Sequence, residues 1–375
     1  MHMPADLVVT PKELTHRTIL RKDLNADRAA FLDTKIPGSE AKINYPLIGP
    51  GVSENADQIV PVTEPHGFNL GGAIMPAGVV NNLHLHFTAE VFVCFAGEWQ
   101  FRWGVDGADG EALVGDGDVI SIPTWIFRGF TSRADDAWLF TALGRDDSGG
   151  LIWAPSVIEK AAQYGMHLSR DNKIIETEPG EVPHGVDLVR PLTEEQLAGL
   201  KKVSTTEMRS RLAKPDDLVW NQRPFLDSNL PGGGAQLALV IGYGLTEDRF
   251  QHPLLRDPHG MSLAWLRAEP SQGVGMHRIT QPQVLIVKSG RIRVTLNRAD
   301  QVSVELGPYD TLSVPPEAWR TLQCIGDTPA QLVVLTEGDG RVDLDWDPAV
   351  VTAAAANDIT LDPNGYLAPA SLLRR

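Results

Sequence analysis

Two stretches of this chain repeat one pattern, and the repeat restricts the fold more than any other feature of the sequence. GDGDVISIPTWIFRGF in the first stretch aligns with LGPYDTLSVPPEAWRTL in the second. The pairs separated by 192 positions are Asp118 and Asp310, Pro123 and Pro315, and Arg128 and Arg320. Gly97 and Gly290 are separated by 193 positions, so one loop differs by a single residue. A pattern that recurs at this distance predicts two copies of one domain rather than one large sandwich.

Each copy consists of short β-prone runs separated by turns. In residues 69–143 the runs are EVFVCFAG, EWQFRWGV, DVISIP and AWLFTAL, and residues 236–337 include LALVIGYG, QVLIVKSG, RIRVTLN and AQLVVLTE. The 35 glycines and 27 prolines of the chain supply the turns that so many short strands need. This spacing is typical of barrels and sandwiches. We therefore predict an all-β protein with two barrels in tandem.

The segment between the two copies has a different pattern. APSVIEKAAQYGM and PLTEEQLAGLKKV are typical of helices, and in the second Thr193 is followed three positions later by Gln196, the spacing of a capping box. A further helix is predicted at DPAVVTAAAAND, close to the C-terminus. The sequence thus predicts an N-terminal barrel over residues 1–150, a helical linker over 151–230, and a C-terminal barrel with a terminal helix over 231–375.

Composition argues against several kinds of partner. The 375 residues suffice for two ordinary domains, and 33 basic against 48 acidic side chains give a net charge of −15. Nucleic acids and anionic membranes require a surplus of Lys and Arg, so neither is expected. The chain start lacks the order of a signal peptide, and no window approaches the roughly 20 apolar residues of a membrane helix. Cys94 and Cys324 lie in apolar runs and are expected to be buried thiols rather than a disulfide, which indicates a cytoplasmic protein.

The residues that carry chemistry are concentrated in GVVNNLHLHFTAEVFVCFAG, at 78–97. His84 and His86 are two positions apart, so both imidazoles point to one face of a strand, and Glu90 can return a carboxylate to that face. Two imidazoles and a carboxylate form a facial ligand set for Fe(II), Mn, Ni, Co or Zn, with positions left for water or substrate. A single strand histidine is usually structural, but burying all three groups without a cation would leave a carboxylate unpaired. These three residues are the predicted metal ligands.

The same stretch resembles the first motif of the cupin superfamily. The fixed positions of that motif are matched by Gly78, His84, His86, Glu90 and Gly97. The resemblance extends over both copies, and it implies that each copy is a cupin jelly-roll barrel, also called a double-stranded β-helix. It further implies that the metal lies in the mouth of the first barrel.

The second cupin motif is matched only in part. Gly117 and Pro123 are present, but Trp125 stands at the place of a glycine and Arg128 at the place of the histidine that would be the fourth ligand. Arginine stays protonated and cannot bind a metal, so the predicted ligand set has three members. Such an open set is used by O2-activating non-haem iron, and it is equally suited to a zinc or nickel lyase or isomerase.

Arg128 has two interpretations. In the first, Arg128 is a catalytic residue beside the metal, and its planar guanidinium would bind a substrate carboxylate or phenolate. Trp125 would then form an apolar wall for a flat substrate. Alternatively, it forms a structural ion pair with a carboxylate such as Glu98 or Asp118. The equivalent Arg320 favours this second interpretation, because the second copy has lost its ligands.

The predicted ligand positions of the second copy are occupied by His277, Ile279 and Gln283. Isoleucine cannot bind a metal, and glutamine is a weak neutral ligand. We therefore expect the second barrel to be free of metal and to have a structural or interface-forming role, such as the formation of a homo-oligomer.

The arrangement of motifs also resembles that of bacterial bicupin dioxygenases of the gentisate and hydroxynaphthoate type. The segments that carry this resemblance are PAG at 76–78 and IPTWIFRGF at 122–130. This resemblance implies Fe(II), O2 and a small hydroxylated aromatic acid as substrate. That group has a third histidine where Arg128 stands and no glutamate ligand where Glu90 stands. The main prediction is a metal-dependent oxygenase. The alternatives are a non-oxidative lyase or isomerase using Zn, Ni or Mn, in which Glu90 could be a base, and a ligand-binding cupin without turnover.

Overall fold

The computed structural model describes residues 6–373 and divides the chain into two compact units. One unit is Asn25–Asp217, and the other combines Leu218–Arg375 with the N-terminal segment up to Leu24. This division differs from the predicted ranges in two respects. The N-terminal segment belongs with the second barrel, because its strand β1 (Thr18–Ile19) pairs with a strand of that barrel at Leu312 and Thr311. Most of the predicted linker packs with the first barrel.

The N-terminal segment and the first barrel contain fourteen strands and four α-helices. The segment has α1 (Pro11–His16) before β1. The strands of the first barrel are β2 (Ile43–Ile48), β3 (Phe68–Met75), β4 (Val80–His86), β5 (Glu90–Ala96), β6 (Trp99–Trp103), β7 (Gly110–Val114), β8 (Val119–Ile122), β9 (Arg128–Ser132), β10 (Ala137–Gly144), β11 (Leu151–Trp153), β12 (Met166–Leu168), β13 (Ile174–Glu176) and β14 (Leu212–Ala213). Its helices are α2 (Pro155–Gln163), α3 (Glu194–Ala198) and α4 (Thr205–Arg209).

The second barrel has the same kind of elements. Its strands are β15 (Gln236–Ile241), β16 (Met261–Ala268), β17 (Gly273–Arg278), β18 (Gln283–Ser289), β19 (Ile292–Leu296), β20 (Val302–Leu306), β21 (Thr311–Val314), β22 (Arg320–Cys324), β23 (Ala330–Glu337), β24 (Asp345–Trp346), β25 (Ile359–Leu361) and β26 (Leu367–Pro369). Its helices are α5 (Pro348–Ala356) and α6 (Ala370–Leu373).

The sheets of the two barrels repeat one strand order, which confirms the predicted duplication and the all-β class. The first barrel has a six-stranded sheet, β14-β8-β5-β10-β3-β2, facing a five-stranded one, β11-β4-β9-β6-β7. The second has β1-β21-β18-β23-β16-β15 and β20-β19-β22-β17-β24. Apart from the edge strands β14 and β1, each strand has its counterpart at the same place. All pairings within these sheets are antiparallel, as short strands joined by tight turns require.

The interior of each barrel is apolar, but the two cores differ in composition. In the first, the rings of Phe92, Phe101 and Phe130 pack within 4.9–5.2 Å of one another, next to buried Trp99. The second core is mostly aliphatic, with fully buried side chains such as Leu332. The first core therefore contains a cluster of aromatic rings among its aliphatic side chains, and these rings pack in edge-on and tilted arrangements.

The remaining structural predictions have clear outcomes. The three helical patterns correspond to α2, α3 and α5, and Thr193 and Gln196 form the predicted capping box at α3. Cys94 and Cys324 are buried and form no disulfide. Within residues 6–373, every helix is too short or too polar to cross a membrane.

Candidate metal centre

The three predicted ligands lie on two strands of the first barrel that are consecutive in the chain, one in each of its sheets. His84 and His86 are on β4, where alternation of side chains turns both imidazoles to the same face. Glu90 is the first residue of β5, after the short connection from β4. All three side chains are buried, and their ligand atoms lie within 4.8 Å of one another. The structure thus brings together the three residues that the sequence singled out.

The hydrogen bonds of the two imidazoles leave both Nε2 atoms available to a ligand. His84 Nδ1 is 2.7 Å from the carbonyl oxygen of Asn82, and His86 Nδ1 is 3.3 Å from that of Gly150. A carbonyl oxygen can only accept, so in each neutral ring Nδ1 carries the proton and Nε2 has the lone pair. Burial, helped by the charge of Arg128, holds the pKa of His84 well below its usual value. His84 is therefore neutral, which is the form that binds metals.

The residues present fit a divalent metal. Among residues 6–373, the buried Nε2 of His86 has no hydrogen-bond partner, although Glu90 Oε1 lies 3.5 Å away. A buried polar atom without a partner costs free energy unless something else satisfies it. Imidazole nitrogen and carboxylate oxygen are suitable ligands for Mn, Fe, Co, Ni or Zn. A cation between His86 Nε2 and Glu90 Oε1 would satisfy both atoms.

Arg128 holds the other oxygen of Glu90. Its Nε and Nη2 donate to Glu90 Oε2 at 2.9 and 2.5 Å, and its Nη1 donates to the carbonyl of His84 at 3.2 Å. Burial raises the pKa of Glu90 and lowers that of Arg128, whereas each charge favours the other across this short contact. The ion-pair interpretation named Glu98 or Asp118 as the partner. The partner is Glu90: the pairing of β4 with β9 sets Arg128 opposite His84, and Glu90 of the facing sheet belongs to the same cluster as His84.

A cavity of about 110 Å³ adjoins the ligands. Its walls combine the three ligands with aromatic rings and small polar side chains, among them Phe31, Phe92, Phe130, Tyr45, Asn44, Asn81 and Thr141. No lysine or arginine of the described chain lines it, and Arg128 lies behind Glu90. The substrate clamp proposed for Arg128 therefore stays a prediction, since its donors are directed to Glu90 and to backbone carbonyls.

Trp125 lies apart from this cavity. It has a left-handed backbone, with φ at 62°, and its side chain is 46% exposed. The ring packs edge-on against Phe87 at 5.2 Å and lines a separate surface depression that includes Val105 and Leu200. The role of Trp125 as a wall for substrate also stays a prediction.

Sequence reasoning missed a buried support beneath His84. The ring of His84 lies 5.4 Å from that of Trp153, whose Nε1 donates to Glu54 Oε1 at 2.7 Å. Burial raises the pKa of Glu54 to about 7. In the second barrel Trp346 donates in the same way to Glu247, also at 2.7 Å, and burial raises the pKa of Glu247 to about 8. Both members of this pair recur after 193 positions, so the repeat could have revealed them.

The second barrel keeps the same framework without the ligands. His277 Nδ1 is bonded to the carbonyl of Gly275 at 2.8 Å, and burial lowers the pKa of His277 to about 3. Ile279 is buried, and Gln283 Oε1 accepts from Arg320 Nη1 at 3.2 Å. Gln283 Nε2, a donor that cannot bind a cation, has no partner within residues 6–373.

No protein-family model matches this chain, and no curated protein is similar to it in sequence. Solved structures do resemble it. The structure of oxalate decarboxylase from Bacillus subtilis has a TM-score of 0.53 and 12% identity, and the match covers 86% of this chain and 76% of that one. The formate complex of Lactobacillus farciminis oxalate decarboxylase has a TM-score of 0.52 and 12% identity, with 86% of each chain covered. A structure from a study of the Mn(II) centres of the Bacillus enzyme has a TM-score of 0.50 and 14% identity, covering 86% and 77%.

At these identities the likeness concerns the fold. The similar structures are bicupins, and the two barrels described above have the same architecture. The resemblance to ring-cleaving dioxygenases gains no support from them. The chain therefore has the bicupin fold, with two jelly-roll barrels in tandem.

Proposed function

We propose that this chain is a metal-dependent enzyme that catalyses a non-oxidative reaction, such as decarboxylation or isomerisation, on a small carboxylic acid. One divalent metal would bind to His84, His86 and Glu90 in the first barrel. The observation that carries this proposal is the buried, unpartnered Nε2 of His86, directed toward Glu90 Oε1 at 3.5 Å. Mn(II) is the preferred candidate, because the donor set suits it and similar folds include a protein with Mn(II) centres.

The size of the cavity supports a small substrate. Its volume of about 110 Å³ is below the roughly 150 Å³ of an apolar cavity that accommodates benzene. A bound metal would reduce this space further. An acid of a few heavy atoms therefore fits better than the hydroxylated aromatic acid expected from the sequence.

The charges at the site favour an anionic substrate. Glu90 and Arg128 compensate each other at 2.5 Å, so a divalent cation would bring a positive charge that no further acidic ligand cancels. The cavity walls offer amides and hydroxyls, which donate hydrogen bonds to carboxylate oxygens. An anionic substrate would then find both a counter-charge and donors.

The residues of this chain have distinct parts in the proposed reaction. The metal, when bound, supplies a Lewis acid that polarises a substrate oxygen. The Nδ1 hydrogen bonds of His84 and His86 fix the tautomer in which Nε2 has the lone pair and is free to bind a metal. Arg128 fixes Glu90 by one oxygen and favours its ionised form, which makes Glu90 a better ligand than a base. Phe92 and Phe130 form an apolar wall that limits access of water.

Anaerobic turnover tests this proposal. Protein loaded with Mn(II) is incubated under strict anaerobiosis with oxalate, malonate and small hydroxy acids, and the products are followed by NMR and by CO2 release. We expect turnover of a small acid without O2. O2 consumption with Fe(II)-loaded protein and hydroxylated aromatic acids, in the absence of any anaerobic turnover, would refute it.

The second candidate is the Fe(II) dioxygenase predicted from the sequence. The observation that favours it is the ligand set itself, since two histidines and one carboxylate with open positions are the set of non-haem iron oxygenases. The same experiment separates the two candidates.

A further inference from the structure

A buried ion pair beside the site has no part in the proposed reaction. Lys42 Nζ donates to Asp33 Oδ1 at 2.5 Å and to Asn81 Oδ1 at 2.8 Å, and it lies 5.0 Å from the centre of the Phe31 ring. The exposed fraction is 2% for Lys42 and zero for Asp33. Buried ion pairs seldom add net stability, because both ions lose their hydration. The presence of this pair therefore requires another explanation.

Hydrogen bonds connect the ion pair to the ligand His84. Asp33 Oδ2 accepts from the backbone nitrogen of Asn82 at 3.1 Å and from its side-chain Nδ2 at 3.0 Å. The carbonyl oxygen of Asn82 accepts from His84 Nδ1 at 2.7 Å. The group bonded to the second nitrogen of a ligating histidine sets the tautomer and the orientation of the ring. Lys42 and Asp33 thus hold the residue that orients His84.

Strand β4 is irregular just before His84, so side-chain hydrogen bonds are needed to fix it there. The register between β4 and β9 shifts between Asn81 and His84, so the regular ladder is interrupted just before the ligand. Lys42 holds Asn81 and Asp33 holds Asn82. One ion pair therefore fixes both residues of the irregular segment next to His84.

The second barrel provides an internal comparison. It retains Asp227, whose Oδ2 accepts from the nitrogen of Gly275 at 2.6 Å, and the carbonyl of Gly275 accepts from His277 Nδ1. At the places of the lysine and the two asparagines it has Ala235, Val274 and Gly275. Asp227 Oδ1 consequently lacks a hydrogen-bond partner among residues 6–373. A lysine needed only to stabilise the buried carboxylate would be expected in both barrels, but it is present only where the ligands are.

We propose that Lys42 is a positioning residue of the metal centre: together with Asp33 and Asn81 it fixes the irregular segment of β4 and so orients His84 for metal binding. This inference rests on the proposed metal site but not on the reaction carried out there. It assigns a function to a buried cation that touches neither the substrate cavity nor the metal ligands directly.

The affinity for Mn(II), measured by competition with a chelating indicator, tests this proposal. Lys42→Met should lower that affinity at least about tenfold, the range found for groups that support metal ligands. It should also change the zero-field splitting of bound Mn(II) in EPR, which an unaltered site would not do. Lys35→Met is the matched control, because Lys35 is a nearby lysine whose ion pair with Glu176 is exposed. We expect no change in this control.

A second variant distinguishes loss of ligand positioning from loss of the fold. Asp33→Asn with Lys42→Met leaves no uncompensated buried charge, so it should fold better than Lys42→Met, yet it still releases Asn81 and should still bind Mn(II) weakly. Wild-type affinity and an unchanged EPR spectrum in either Lys42 variant would overturn the proposal and leave the metal site standing. Failure of the wild type to bind Mn(II), Fe(II) or Zn(II) would instead refute the proposed function, and this inference with it.

Discussion

Arg128 and Arg320 occupy the same place in the two barrels, but Arg128 donates two hydrogen bonds to the carboxylate of Glu90, whereas Arg320 donates one to the carboxamide of Gln283. Both guanidiniums are fully buried, and each is opposite the corresponding histidine in its sheet. The arginine is therefore part of the shared framework, and the residue it contacts differs between the barrels. A carboxylate held by one oxygen can bind a cation with the other, and a carboxamide held by its oxygen presents only a donor.

Substituting the two arginines tests what each one does. Arg128→Lys should keep the fold but lose the forked contact with Glu90, and the affinity for Mn(II) should fall about tenfold, as for the loss of a charged hydrogen bond. Arg320→Lys is the internal control and should change only the melting temperature. Metal titration and thermal denaturation of both variants give the answer. Unchanged metal affinity together with weaker binding of a carboxylic acid would instead support the substrate clamp.

Restoring the ligands should restore a metal site in the second barrel. Ile279→His with Gln283→Glu recreates the ligand set beside His277, whose Nδ1 is already bonded to a backbone carbonyl. Because the histidine and arginine framework is duplicated but the lysine support is not, we expect the double variant to bind a second metal per chain, more weakly than the first. Elemental analysis measures this number. If the variant folds and still binds one metal, ligand identity alone does not explain why only the first barrel binds metal. Residues that position the ligands, such as Lys42, would then be required as well.

Stability should depend on pH through Glu247. Burial raises its pKa to about 8, so between its ordinary pKa of 4.5 and pH 8 the folded state keeps a proton that the unfolded chain releases. Stability then falls as pH rises through this interval, by on the order of a few kcal/mol. Glu247→Gln removes this dependence. The melting temperature of the wild type should therefore decline relative to that of the variant from pH 5 to pH 8. A constant difference over this range would contradict the assignment.

Much of the fold and part of the site could be predicted from the sequence, for identifiable reasons. Alternation along a strand is a local property, so the spacing of His84, His86 and Glu90 was sufficient to predict one cluster. Partners across strands are not local: Arg128 contacts Glu90 because β9 pairs with β4 and the sheet of β5 faces them, and the sequence did not reveal this arrangement. No sequence pattern pointed to Lys42, because its contacts with Asp33 and Asn81 form only when segments distant in the sequence pack together.

Trp125 illustrates a different limit. Its position in the second motif suggested a cavity wall, but its left-handed backbone, with φ at 62°, accompanies a side chain on the surface against Phe87. Few residues other than glycine adopt this conformation, so it could not be expected for a tryptophan from the spacing of the motif. The role of Trp125 as a wall for substrate therefore stays a prediction.

The proposed metal centre is tested by the metal content of the wild type and of His84→Ala and Glu90→Ala, measured by elemental analysis after purification with Mn(II), Fe(II) and Zn(II) supplied. The apolar core of the first barrel does not depend on these side chains. Because Glu90→Ala leaves the buried Arg128 without its partner, Glu90→Gln, which keeps an acceptor for Arg128 as Gln283 does for Arg320, is measured beside it. We predict one metal per chain in the wild type and almost none in either variant. Undiminished metal in both variants, or a wild type that binds none of these metals, would show that His84, His86 and Glu90 do not form a metal centre.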